Sequence, residues 1–430
     1  SGVCLAEVGH DVVCVDVDAA KVAKILRGAP PIHEAGLEPL LRGQLGKRFT
    51  VTGDLGAAVE VSDLSIIAVG TPFDGKQIDL AYVRRAAGEI GAALRRKPGY
   101  HVVVVKSTVV PGTTDSVVSP MLEEASGKRA GVDFGVGMNP EFLTEGQAVR
   151  DFMEPDRIVL GAADGRAMEA LDELYASFHG VPKIRTNLRT AEMIKYASNA
   201  FLATAISFSN ELANLCSALG QVDAVEVMAG LHASSYFTVP GPDGSRVEAP
   251  ITSFLLPGCG FGGSCLPKDV SALAAHGEAA GAPMPLLRSV MAVNQGQPGQ
   301  VLRQLEKHFP ALSGLRIGVL GLAFKPDTDD VRESPAFPVI RLLLERRARV
   351  KAYDPAAMPQ ARGVLGEAIV YADSLKACLA DVDAVVLLTR WTEFEAVPAL
   401  LRTMESPPLL LDGRRQLDKR SIPRYAGIGI

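Results

Sequence analysis

The chain has 430 residues, 47% hydrophobic and 22% charged, with a net charge of −5. That length gives two or three domains with ample core, and no basic run for nucleic acid or apolar run of membrane-span length is present. Six scattered cysteines (Cys4, Cys14, Cys216, Cys259, Cys265, Cys378) form no disulfide framework, which points to a cytoplasmic, reducing compartment, and no His or second Cys pair lies near Cys259 and Cys265 to make them metal ligands.

Ser1 to Val8 reads as a helix closed by Gly9, and Val12 to Val15 as a strand ending in Asp16. In a dinucleotide-binding unit a strand and a Gly-rich turn precede such a helix, and an acidic residue ends the second strand. A first strand and its glycine turn are therefore expected upstream of Ser1. Asp16 is placed to accept hydrogen bonds from ribose hydroxyls, although Asp at a strand end is also a common solvated turn residue.

Lys21 to Arg27 continues as helix, Phe49 to Thr52 as strand and Gly53 to Glu60 as helix. Leu64 to Val69 is an apolar strand ending in Gly70-Thr71-Pro72. Val102 to Val105 ends in Lys106-Ser107-Thr108. Phe134 to Gly137 leads to Asn139-Pro140-Glu141, and Arg157 to Leu160 is a further strand. Apolar strands alternating with helices predict a parallel sheet covered on both faces. Ligands then bind beyond the carboxyl ends of the strands, where these polar clusters fall.

From Thr190 to Leu219 a long helical stretch closed by Gly220 carries no strand signal, and helices continue to about Phe309. Lys195 and Asn199 share one face. Among apolar neighbours Lys195 either snorkels to solvent or sits in a polar site. Phe237 to Pro250, rich in Gly and Pro, reads as a loop.

Gly258-Cys259-Gly260-Phe261-Gly262-Gly263-Ser264-Cys265-Leu266-Pro267-Lys268-Asp269 places four glycines in six positions, where backbone can approach a ligand closely. Pro267 suits the first turn of a helix. Cys265 therefore falls at a helix N-terminus, where the macrodipole and Lys268 both favour a thiolate nucleophile. Asp269 lies on the same helix face. The alternative is a small buried thiol beside a tight turn.

After a linker at Leu312-Ser313-Gly314, a second βαβ pattern begins with the strand Arg316 to Leu320, ending in Gly321-Leu322-Ala323-Phe324-Lys325-Pro326. A helix near Pro335 to Arg346 follows, then strands at Arg349 to Tyr353, Ala384 to Leu388 and Leu409 to Leu411. Gly318 and Gly321 are too sparse for a dinucleotide fingerprint. The basic residues at these strand ends, Lys325, Arg332 and Arg414, suit a phosphorylated group.

Taken together and in order, several stretches resemble the nucleotide-sugar dehydrogenases that oxidise UDP-glucose or GDP-mannose at C6. They are Val15-Asp16-Val17-Asp18, Val69 to Pro72, Lys106 to Val109, Asn139 to Leu143, Glu192 to Tyr196, the Cys265 stretch, Gly321 to Pro326 and Asp330 to Pro335. The resemblance implies an α/β fold of two doubly wound, Rossmann-like domains joined by a helical central domain. The boundaries expected are 1–185 for NAD, 186–311 for the central domain with the nucleophile and the dimer contact, and 312–430 for the nucleotide sugar.

The implied reaction is a four-electron oxidation of a sugar CH₂OH to a carboxylate with two NAD⁺. It proceeds through a cysteine thiohemiacetal and thioester, which demands a nucleophile, an acid/base and an oxyanion stabiliser. By resemblance Cys265 is the nucleophile, Lys195 and Asn199 hold the oxygen at C6, and Asp269, Thr108 and Glu141 organise water and proton transfer. For NAD the resemblance gives Asp16, Lys21, Gly70, Thr71, Pro72, Ser107 and Thr108, with Glu145 and Arg332 beside the nicotinamide half. For the nucleotide sugar it gives Glu141, Phe142, Leu143, Lys195, Asn199, Phe254, Leu255, Gly262, Phe324, Lys325 and Arg414.

A homodimer or higher homo-oligomer is expected, with neither nucleic acid nor membrane as partner. UDP-glucose members often carry an Arg just before the Gly-rich stretch; here Ser234-Ser235-Tyr236 stands there, and Arg246 is the only Arg in the insertion that follows. Pro155-Asp156-Arg157 and Thr389 to Phe394 resemble the UDP-glucose group, whereas Val109 to Thr113, Gly131 to Gly135 and Leu266 resemble the GDP-mannose group. UDP-glucose is the expected substrate and GDP-mannose the alternative. A two-electron 3-hydroxyacid dehydrogenase, which needs no thiol, and a non-catalytic nucleotide-sugar-binding protein are the other readings.

Overall fold

The protein, seen in a computed structural model, is described at every residue except 33 and 242. It divides into two compact units, Ser1–Ser198 and Asn199–Ile430.

In the first unit β1 (Val12–Val15) pairs in parallel with β2 (Phe49–Thr52). A second sheet has the order of the chain: β3 (Leu64–Ile67), β4 (Val102–Val105), β5 (Gly135–Met138), β6 (Ile158–Ala162) and β7 (Lys183–Thr186). The four valines of β4 are all buried, as a central strand covered on both faces requires. Two features differ from the expected parallel sheet. Among the described residues β1 and β3 are not paired with each other, so the strands form two sheets. The β5–β6 pair is antiparallel. The connection between those strands carries only the six-residue helix Ala148–Met153, too short to recross a sheet face.

A buried histidine and a close-packed glycine staple this unit. His101 joins the Ser62 carbonyl (2.9 Å) and the Ser65 hydroxyl (2.8 Å), and burial pushes its pKa down to about 4. Gly161 lets the long helix Leu188–Leu219 seat against β6: a Cβ there would meet that of Ala191 at 2.7 Å.

The second unit begins within that long helix and continues through helices Ala224–His232, Leu266–Ala279 and Pro285–Glu306. Residues 237–250 were expected to be a loop. They instead contain an antiparallel hairpin, β8 (Thr238–Pro240) with β9 (Arg246–Glu248). The turn residues Gly241, Asp243 and Gly244 close it, the Gly241 amide donating to the Ser245 carbonyl at 2.7 Å; residue 242 lies outside the described residues.

The C-terminal sheet comprises β10 (Arg316–Leu320), β11 (Arg349–Tyr353), β12 (Val370–Tyr371), β13 (Ala384–Leu387), β14 (Leu409–Asp412) and β15 (Tyr425–Gly427). Its order, β12-β11-β10-β13-β14-β15, is wholly parallel. The order reverses between β10 and β13, and the crevice beyond the carboxyl ends of those two strands is the place such a sheet offers a ligand. Gly321 to Pro326 and Leu388 to Trp391 leave the sheet there.

Candidate active site

In the first unit, polar residues follow the strand ends as expected. Asp16 follows β1, its side chain 33% exposed, with Lys21 Nζ 3.9 Å away. An accessible carboxylate at that position is the acceptor that two ribose hydroxyls need, so the donor set fits NAD. After β3, Thr71 donates to the Thr108 carbonyl at 2.7 Å, and Ser107 Oγ accepts from the Val69 amide at 2.8 Å. Gly70 has open space where a side chain would project. Pro72, Glu141 and Glu145 lie close to the same strand ends in sequence, Glu141 and Glu145 half-buried.

Lys106 is 6% exposed and donates to Asn139 Oδ1 at 3.0 Å. The Tyr175 hydroxyl donates to the same oxygen at 2.5 Å, and Asn139 Nδ2 donates to the Val159 carbonyl. Burial lowers the Lys106 pKa and raises that of Tyr175.

Lys195 is 8% exposed, so its side chain does not extend into bulk solvent. Its ammonium lies 5.5 Å from the Phe142 ring, which the Arg157 guanidinium also covers at 4.3 Å. Leu143 packs into the apolar core instead. One turn before Lys195, the buried Glu192 carboxylate accepts from Gly112 N (2.6 Å), Thr114 N (2.8 Å) and Thr114 Oγ1 (2.6 Å). Glu192 thus ties this end of the helix to the loop after β4. A carboxylate inside an apolar helical stretch was the sequence signal for it.

In the second unit Cys265 is the N-cap residue of Leu266–Ala279 and is exposed, with Ser264 Oγ 3.6 Å from its sulfur. The helix opens at Leu266, with Pro267 in its first turn. The Asp269 amide donates to the Cys265 carbonyl at 2.8 Å. Asp269 is 1% exposed, and its carboxylate accepts from Asn199 Nδ2 at 2.6 Å and from Lys268 Nζ. Lys268 is therefore engaged by Asp269 rather than standing as an isolated charge.

The Gly-rich segment is held by side-chain amides. Asn210 Oδ1 accepts from Gly258 N, Gln297 Nε2 donates to Gly258 O, and Asn294 both accepts from Phe261 N and donates to Phe261 O. The glycines are required: a Cβ on Gly262 would lie 2.1 Å from the Glu333 carbonyl oxygen. At Gly263, φ is +82° and a Cβ would meet the Phe324 ring at 2.7 Å.

A cavity of about 240 Å³ opens beside this segment, lined by Phe254, Gly262, Phe324, Lys325, Arg390 and Arg414 among others. Leu255 lies buried behind its lining neighbours Phe254 and Leu256. Arg332, at the far side of the same loop, grips Asp330 with its guanidinium at 2.6–2.9 Å.

Sequence reasoning missed Asn210, Asn294 and Gln297, whose only signal is amides at helical spacing. It also missed Asp354. That buried carboxylate accepts from the amides of Leu322, Ala323, Ala356 and Ala357 and from Trp391 Nε1, fixing the turn after β10.

A chain with one set of strand ends fitted to a dinucleotide ribose, and another opening on a basic cavity near an exposed thiol, is of the NAD-dependent dehydrogenase class. It belongs to the UDP-glucose/GDP-mannose dehydrogenase family: residues 1–179 match the family's NAD binding domain, 189–296 its central domain and 318–419 its UDP binding domain. It is 44% identical over 422 residues to the UDP-glucose 6-dehydrogenase AglM of Haloferax volcanii, covering 97% of this chain and 94% of that protein. A UDP-glucose dehydrogenase structure from Pyrobaculum islandicum superposes with a TM-score of 0.90 at 40% identity, over 100% of this chain and 94% of that one. A GDP-mannose 6-dehydrogenase of Pseudomonas aeruginosa is 40% identical over 353 residues, covering 82% of this chain and 77% of that protein.

Proposed function

We propose that the chain oxidises UDP-glucose to UDP-glucuronate, an NAD-dependent four-electron reaction run through Cys265. The observation that carries this reading is an exposed thiol at a helix N-terminus, one helical turn from a buried Asn199–Asp269 pair that also engages Lys268. UDP-glucose is preferred to GDP-mannose because the UDP-glucose relative is matched over nearly its full length. NAD, when bound, would accept one hydride, so the two hydrides that leave C6 require two NAD⁺ in succession.

The residues take these roles in the proposal. Asp16 and Lys21 address the adenosine ribose, and Gly70, Thr71, Pro72, Ser107 and Thr108 line the path of the dinucleotide. Glu145 and Arg332 serve its nicotinamide half. Lys195 and Asn199 hold the C6 oxygen, and Asn199 is oriented by its bond to Asp269. Once an aldehyde forms, the Cys265 thiolate attacks its carbon and an S–C bond forms. Lys195 stabilises or protonates the resulting oxyanion. Loss of the second hydride restores the C=O bond and leaves a thioester. Water, organised by Thr108, Glu141 and Asp269, adds to that carbonyl; the S–C bond breaks and Cys265 leaves as thiolate. Phe142, Leu143, Phe254, Leu255, Gly262, Phe324, Lys325 and Arg414 hold the nucleotide sugar.

A panel of UDP- and GDP-sugars assayed by NADH release tests this. Two NADH per UDP-glucose are expected. One NADH per substrate would favour the 3-hydroxyacid dehydrogenase reading, none at all a binding protein, and preference for GDP-mannose would reassign the base and sugar.

We also infer a homodimer formed through the long helix. Phe201, Phe208 and Leu215, seven residues apart, are 62%, 45% and 53% exposed. An apolar stripe at that spacing seeks a partner helix. Phe208→Glu is expected to halve the mass measured by light scattering; an unchanged mass removes the stripe from the interface. The cytoplasm is the inferred compartment. All six cysteines are free, and among the described residues no helix is long and apolar enough to cross a membrane.

A further inference from the structure

The cavity beside the Gly-rich segment contains a residue that no assignment above uses. Arg390 follows β13 at the point where the strand order of the C-terminal sheet reverses. It lines the cavity together with Arg414. Each guanidinium is anchored on backbone carbonyl oxygen. Arg390 Nε and Nη2 donate to the Arg414 carbonyl at 3.0 and 2.6 Å. Arg414 donates from Nε to the Leu388 carbonyl (2.6 Å) and from Nη1 to the Gly260 carbonyl (2.8 Å).

Among the described residues neither arginine has a carboxylate within 4 Å. Asp412, the nearby acid, is fully buried; it accepts from Arg414 N, from Leu417 N and from the Tyr425 hydroxyl. Burial and the repulsion of Arg414 both lower the Arg390 pKa. Two like charges lining one cavity repel, and the burial of Arg390 adds to that cost unless an anion joins them. Arg390 Nη1 and Arg414 Nη2 make no hydrogen bond among the described residues, so both keep donors for one. Guanidinium forks match phosphoryl oxygens, and a diphosphate supplies two adjacent negative groups.

We propose that Arg390 is a further substrate-binding residue, which with Arg414 clasps the diphosphate of the nucleotide sugar. The proposal rests on the reading of this cavity as the nucleotide-sugar site. It goes beyond that reading by adding a contact that the strand-end pattern, with Lys325 and Arg414, did not include. Arg390 is a recognition group and takes no part in bond making at C6.

The test is calorimetric binding of UDP, UMP and uridine to the full chain and to Arg390→Gln, Arg390→Lys, Arg414→Gln and the Arg390→Gln/Arg414→Gln double variant. Arg390→Gln is expected to weaken UDP on the order of 10–100-fold, as loss of a charge-assisted hydrogen bond does. Uridine should change little, and KM for UDP-glucose should rise while kcat and KM for NAD stay within a few-fold. Arg390→Lys keeps a charge without the fork, so it should fall between, and it covers the case in which the Gln variant does not fold. In the Arg414→Gln background, removal of Arg390 should still cost affinity for UDP. No further loss there would show that Arg390 only props Arg414, and would overturn the proposal. Equal weakening of uridine and UDP, or unchanged UDP binding, would overturn it as well. If the unaltered chain binds no UDP, the nucleotide-sugar reading of the cavity itself fails, and the proposal with it.

Discussion

Cys265→Ser is expected to keep its fold and to lose nearly all formation of uronic acid. The side chain is exposed at the head of its helix, so the exchange of sulfur for oxygen leaves no hole in the core. The chemical loss is large. A serine hydroxyl is almost entirely protonated at neutral pH and, without an adjacent base to activate it, is a poor nucleophile for an aldehyde. The first oxidation does not need the thiol, so a trace of aldehyde is the expected residual product. Acid formation should fall by at least about 10³-fold, which is the scale for removing a covalent nucleophile. The measurement is acid and aldehyde quantified against NADH. Full acid formation in the serine variant would return the chain to the two-electron hydroxyacid reading.

Arg415→Ala strips the second unit of its best-sealed ion pair. Arg415 Nη2 donates to both Asp223 oxygens at 2.8 Å, and the two side chains are 6% and 8% exposed. Asp223 caps the helix Ala224–His232 and also receives Lys419 Nζ at 2.8 Å. Arg415 Nη1 reaches the Ile428 carbonyl. Removal of Arg415 leaves a buried carboxylate with Lys419 as its remaining cation, a loss of up to about 3–5 kcal/mol. For a unit of this size, each kcal/mol moves the melting point by about 2–4 °C.

The pH dependence has a defined sign. Burial by itself would raise the Asp223 pKa, but the hydrogen bonds from Arg415 and Lys419 prevail and hold it at about 2, below its ordinary 3.8. The stabilisation is therefore present in full above pH 3.8 and is lost as pH falls toward 2. In Arg415→Ala the acid unfolding midpoint should move upward. Melting followed by circular dichroism between pH 2 and 7 checks both statements, and coincident curves for the two proteins would refute them.

Most of the architecture is legible in the sequence because parallel strands buried on both faces announce themselves as short aliphatic runs, such as Val102–Val105 and Ala384–Leu387. What escapes has the opposite character. β12 is two residues long with Val370 exposed, and β15 reads Tyr-Ala-Gly, so neither has a run to detect. The hairpin of residues 237–250 hides behind its turn residues, because Gly and Pro mark a tight turn as readily as a long loop. At the candidate site, residues that project from strand ends or sit beside glycines are readable: Asp16, Ser107, Cys265, Lys325. Residues that hold others in place are not. Asn294 serves the Phe261 backbone, and Asp354, besides its neighbours Ala356 and Ala357, serves the amides of Leu322 and Ala323; nothing local to either residue records those distant partnerships.

The knot of Lys106, Asn139 and Tyr175 has a practical consequence. An amine buried just beyond the end of β4 is out of reach of acylating reagents while the unit is closed, whereas exposed lysines react at once. Its modification rate therefore reports the frequency with which the first unit breathes open. A mass spectrometer following that one lysine would hear the domain loosen before any change in catalysis.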